Sequence, residues 1–137
     1  MTQWILITGA IFGALAVATG AFGAHALQTV LDDRARGWYD TAVTYHAGHA
    51  MAIVACGLTA LYANLQPDAS GAATWLNASA FCFVIGIVVF SGSLYAMAFT
   101  GITRLGMITP IGGLFLIIAW LCMALGASKL GNEINLT

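Results

Sequence analysis

The sequence predicts an all-α membrane protein in which four transmembrane helices form a small bundle. Three observations carry this. Hydrophobic residues make up 61% of the 137 residues and charged residues 7%, against about 25% charged in a soluble domain. Four basic and five acidic side chains cannot keep a surface of this size wet, so lipid must cover most of it. The charges also cluster, leaving four charge-free stretches at 4–31, 41–67, 69–103 and 105–128. Each exceeds the roughly 20 helical residues that span about 30 Å of hydrocarbon. Finally, no apolar–polar alternation marks barrel strands, and a helix pairs all its backbone groups within the segment, as lipid requires. One domain, 1–137, is the expected organisation. The net charge of −1 and the lack of a basic stripe argue against nucleic acid as a partner.

The helices are expected at 4–26, 40–62, 75–99 and 105–127. The first ends in Ala24-His25-Ala26, which resembles a leader cleavage site, but no Lys or Arg precedes the apolar run as a leader normally requires. It therefore reads as a retained span. Its Gly9, Gly13, Gly20 and Ala24 form a small-residue face suited to close packing within the bundle. Asp40 precedes the second span and suits its N-cap. The segment from Asn64 to Gly71, with Pro67, Asp68 and Ser70, reads as a loop. In the fourth span, Pro110 removes a helical hydrogen bond. With Gly112 and Gly113 behind it, it marks either a kink or the true helix start. Trp4, Trp38, Tyr39 and Trp75 lie near span ends and suit the aromatic belt.

Orientation follows from Lys and Arg in short loops. The first and third loops share one side, which holds Arg34, Arg36 and Arg104. The other side holds Lys129 and the terminal amine. Both termini are therefore expected on the outer, periplasmic side.

Few residues could carry chemistry. His25 ends the first span, while His46 and His49 sit at i and i+3 on the second, sharing a face. Ser91, Ser93 and Tyr95 on the third span, Tyr45 on the second and Thr109 on the fourth are expected at the same end. Polar groups inside a span are functional hypotheses by default. The expectation is that the three histidines converge on one site in the arginine-side half, with Tyr95 and a serine beside them, the other half being apolar. Without a neighbouring carboxylate or thiol they read first as hydrogen-bonding groups, although neutral imidazole can also hold copper or haem iron. Cys56, Cys82 and Cys122 lie mid-span and read as small packed hydrophobes. Nucleotide-binding loops, zinc-protease motifs and nucleophile elbows do not appear.

The motifs Gly20-Ala21-Phe22-Gly23-Ala24-His25-Ala26-Leu27, Trp38, Thr41-Ala42, Tyr45-His46 and His49-Ala50 resemble those of the YgdD-like family of small bacterial membrane proteins. Phe90-Ser91-Gly92-Ser93-Leu94-Tyr95, Ile108-Thr109-Pro110-Ile111-Gly112-Gly113 and Trp120 are similar to its later motifs. The resemblance implies four spans and residence in the bacterial inner membrane, in a family classed as a domain of unknown function. It supplies no activity, ligand or cofactor. With no catalytic machinery in view, the reading taken is an interaction or accessory subunit of a larger membrane complex. The alternatives are a metal-, haem- or lipid-binding protein that uses the histidines, and a transporter or channel formed as a homo-oligomer. Four helices are few for a solute pathway, and no intramembrane acid is available to relay protons.

Overall fold

A computed structural model describes residues 2–66 and 70–134. It contains four long helices, α1 (Gln3–His25), α2 (Asp33–Ala63), α3 (Ser70–Thr100) and α4 (Thr109–Ile134), with a 3₁₀ turn at Thr103–Met107 before α4. All four are long and apolar enough to cross a membrane. In the loop expected at 64–71, Pro67 and Asp68 lie outside the described residues, and Ser70 already belongs to α3.

The N-cap of α2 is Asp32, not Asp40. The Asp32 carboxylate accepts from the Ala35 N–H at 2.7 Å, and Asp33 adds favourable negative charge in the first turn. Asp40 lies two turns inside the helix. The expectation failed because it ended the helix where the charges begin. At 31 residues, α2 and α3 are each about 46 Å long, well beyond about 30 Å of hydrocarbon, so their charged or polar turns project past it. Helix α3 stops at Gly101, whose φ of +69° is open to glycine at little cost and whose N–H caps the Met97 carbonyl at 2.9 Å. Of the two readings of Pro110, the helix start holds. Helix α4 opens at Thr109, and proline in a first turn forfeits no helical bond.

Helices α2 and α3 form the central pair. Helix α1 packs on α2 and α4 on α3, while α2 and α4 touch only lightly. The main core joins Ile5, Ile53, Cys56, Leu76, Phe83, Ile87 and Leu116 with alanines between them. Small residues set the separations. A Cβ on Gly9 would lie 2.7 Å from Val54 Cγ2, so this residue packs within the bundle as expected. Gly13 faces open space. The three cysteines are free.

The half away from the arginines is not purely apolar. Ser79, fully buried, donates to the Ala119 carbonyl at 2.7 Å and lies 3.4 Å from Cys56 Sγ. Near that end, the Trp4 indole donates to Asn77 at 3.2 Å. Both pairs join helices, and an interhelical hydrogen bond adds modest stability in lipid.

Candidate functional site

The midpoint of α2 carries two histidines that look in different directions. Residues three apart are separated by about 60° around a helix, enough at the centre of a bundle to face different neighbours. His46 faces α1 and α3, with the Phe12 ring edge-on at 5.6 Å and the Tyr95 hydroxyl 3.4 Å from Nδ1. His49 faces α3 and α4, against Phe83 at 5.5 Å and Trp120 at 6.1 Å between ring centroids.

The proton positions around His46 follow from its partners. The Thr19 hydroxyl shares its proton between the Leu15 and Ala16 carbonyls, at 3.0 and 3.1 Å. It must therefore accept from Tyr95, 3.3 Å away. Having given its one proton, the Tyr95 oxygen accepts from His46 Nδ1–H. One chain of donors thus runs from α2 through α3 to α1. His46 Nε2 is left as the lone-pair nitrogen, buried and without a hydrogen bond. Tyr39 reinforces the junction. It is 2% exposed, donates to the Thr19 carbonyl at 2.7 Å, and sets its ring edge to Tyr95 and Phe99. It does not belong to the interfacial belt.

His49 is fixed in one tautomer. Nδ1 lies 2.7 Å from the Tyr45 carbonyl, which can only accept, so Nδ1 carries the proton. Nε2 then accepts from the Trp120 indole at 3.3 Å. Tyr45 stacks on the His49 ring at 5.7 Å and packs against Phe90 at 4.5 Å. The result is an aromatic seam along the shallow gap between α2 and α4. The seam opens outwards, with Tyr45 42% and Trp120 50% exposed. Its polar side chains lie at mid-helix depth, and its Tyr45 and Trp120 rings still face out of the bundle.

The expected convergence of three histidines does not occur. His25 is exposed at the end of α1, and His46 and His49 diverge. Among the described residues, no three His, Cys, Asp or Glu side chains lie together as a metal site would need. Two facing histidines from different helices, which a bis-histidine haem requires, are not assembled either. The copper and haem expectations thus lose their geometric basis. The two serines separate as well. The Ser93 hydroxyl donates to the Phe90 carbonyl and accepts from Thr109 at 2.7 Å, tying α3 to the start of α4. Ser91 lies one turn below Tyr95 on the same face, with its hydroxyl buried and unpaired. Gly112 and Gly113 pack against Phe90 and serve the α3–α4 contact.

Thr19, Tyr39 and Trp120 are the members that the sequence did not disclose. A threonine in an alanine-rich span and a tyrosine beside charges are ordinary by themselves. Trp120 did carry a signal, because it lies far from both ends of its span.

A family profile described as "Protein of unknown function (DUF423)" matches residues 19–113. The chain belongs to this family. Members similar to it include a UPF0382 membrane protein of Haemophilus influenzae, 41% identical over 88% of this chain and 90% of the relative. Another, from Staphylococcus epidermidis, is 39% identical over 90% and 94%. The UPF0382 inner membrane protein YgdD of Escherichia coli is 33% identical over 96% and 95%. The YgdD-like resemblance therefore holds, and the chain is an integral membrane protein. No solved structure matches. The matched region runs from Thr19 through Gly113, so it contains the whole His46–Tyr95–Thr19 chain and two of the three polar members of the seam, with Trp120 beyond it.

Proposed function

We propose that this DUF423 protein is an accessory subunit of the bacterial inner membrane, whose α2–α4 seam receives a transmembrane helix of a larger complex. The carrying observation is the Tyr45, His49 and Trp120 set near the midpoints of their helices, with His49 half-buried and the Tyr45 and Trp120 rings facing outwards. The His49 and Trp120 nitrogens are paired within the seam, but among the described residues the Tyr45 hydroxyl makes no hydrogen bond, and at that depth lipid offers it none. A partner helix lying in the gap would cover all three rings and complete the α2–α4 side of the bundle. Aromatic rings rich in contact area suit such a docking seam.

The test is native electrophoresis of membranes solubilised in a mild detergent. The wild-type chain should migrate in a large assembly, and a His49→Ala, Trp120→Ala double variant should run as a small species at unchanged expression. A wild-type chain running at its own mass, or as a multimer of this chain alone, would exclude the subunit reading.

The proposed orientation places both termini in the periplasm, because Arg34, Arg36 and Arg104 stand against Lys129. A C-terminal fusion to a reporter that works only in the cytoplasm should stay silent, and one to a periplasm-dependent reporter should be active. The reverse pair of signals would invert the topology.

A further inference from the structure

A second site lies at the arginine end of the molecule, away from the seam. A cleft of about 380 Å³ opens between the α1–α2 loop, the first turns of α2, and the end of α3 with its following loop. Arg34 and Thr103 line it together with the apolar Trp38, Ala98 and Phe99, of which Ala98 is buried and Trp38 half-buried. Arg34 does not lie loose on this surface. Its guanidinium carbon sits 4.9 Å from the centroid of the Trp38 ring. Stacking of this kind holds the guanidinium plane and leaves its N–H edge free to bind in a fork. Among the described residues, no acidic group is ion-paired with it. Asp32, the one carboxylate in the wall, is engaged at Oδ1 by the Ala35 N–H as the helix cap.

A planar cation with a free edge recognises phosphate oxygens best, because two parallel N–H bonds match their geometry. The Thr103 hydroxyl offers a further donor on the opposite wall. The rest of the lining is largely apolar, with Trp38, Ala98 and Phe99 in it, and Phe99, on α3, is 56% exposed. A tryptophan at this level also marks the headgroup region. The ligand therefore has a phosphate at the level of Arg34 and an apolar body running down past Trp38 and Phe99. We infer that this cleft holds the headgroup phosphate of a glycerophospholipid, with Arg34, oriented by Trp38, as its principal contact.

Native mass spectrometry of the delipidated full-length protein, titrated in detergent with defined lipids, tests this. Phosphatidylglycerol and phosphatidylethanolamine should each bind one molecule per chain at least tenfold more tightly than diacylglycerol, which keeps the chains but lacks the phosphate. Arg34→Gln should weaken both phospholipids about tenfold without lowering the thermal midpoint, since the side chain is exposed. Trp38→Leu should weaken them by a smaller factor, and Arg104→Gln, outside the cleft, should leave them unchanged. Equal binding of diacylglycerol, or an Arg34→Gln protein that binds like wild type, would overturn the assignment. Displacement of the lipid by millimolar inorganic phosphate would overturn the lipid as the source of the phosphate. An equal loss in Arg104→Gln would reduce the effect to general charge and overturn the cleft.

Discussion

Replacing Gly112 by alanine should destabilise the protein by about 1–3 kcal/mol, the cost of forcing an extra methyl into a closed contact. The added Cβ would fall on the Phe90 backbone, meeting its amide nitrogen and lying 2.7 Å from Cα and 2.8 Å from Cβ. Backbone cannot swing aside as a side-chain tip can, so α4 must move off α3 near its first turn. That displacement also strains the Ser93–Thr109 hydrogen bond. In lipid no hydrophobic effect draws the helices back together, and contact between close backbones supplies much of the attraction. Gly48→Ala is the matching control. Nothing lies within 4 Å of its Cβ position, and alanine favours helix over glycine by about 0.8–1.0 kcal/mol, so its thermal midpoint should hold or rise. Thermal unfolding of both variants in one detergent checks the pair. A Gly112→Ala protein that melts with the wild type would mean that the helices do not approach this closely.

The spans were legible because lipid imposes a coarse requirement, a long apolar helix, and Asp32, Arg104 and Lys129 punctuate the chain at the right intervals. Their ends were less legible. Charge marks where the bilayer stops and not where hydrogen bonding stops, so Asp40 looked like a boundary while α2 had begun seven residues before it. The pairing of His46 with Tyr95 was legible from depth, since both lie in polar stretches approaching the same end. The split between His46 and His49 was not. It depends on how α2 is rotated against three neighbours, and a single helix pattern shared by i and i+3 leaves a wide arc of directions open. Tyr39 shows the same gap. Its neighbours Trp38 and Asp40 belong to the interface, but one step of about 100° around the helix turns Tyr39 into the core.

That buried position gives Tyr39 its expected effect. Tyr39→Phe removes one interhelical hydrogen bond, worth about 0.6 kcal/mol in a membrane protein, while the Thr19 carbonyl can keep its bond within α1. Tyr39→Ala is a different change, because it empties the junction of α1, α2 and α3. The unfolded helices also reside in lipid, so most of the transfer term seen in water-soluble cores drops out and the cavity and lost contacts remain. The cost should be about 2–3 kcal/mol, at or below the low end of the 3–5 found for aromatic truncation in soluble cores. The cavity has a specific shape, since a Cβ on Gly23 would lie 2.5 Å from Tyr39 Cε1. Gly23→Ala should therefore be costly while the tyrosine is present and close to neutral in the Tyr39→Ala background. A double-mutant cycle of thermal or denaturant unfolding in detergent should return a coupling of at least about 1 kcal/mol, within the range for residues in contact. Simple additivity of the two changes would show that α1 and α2 do not meet through the Tyr39 ring.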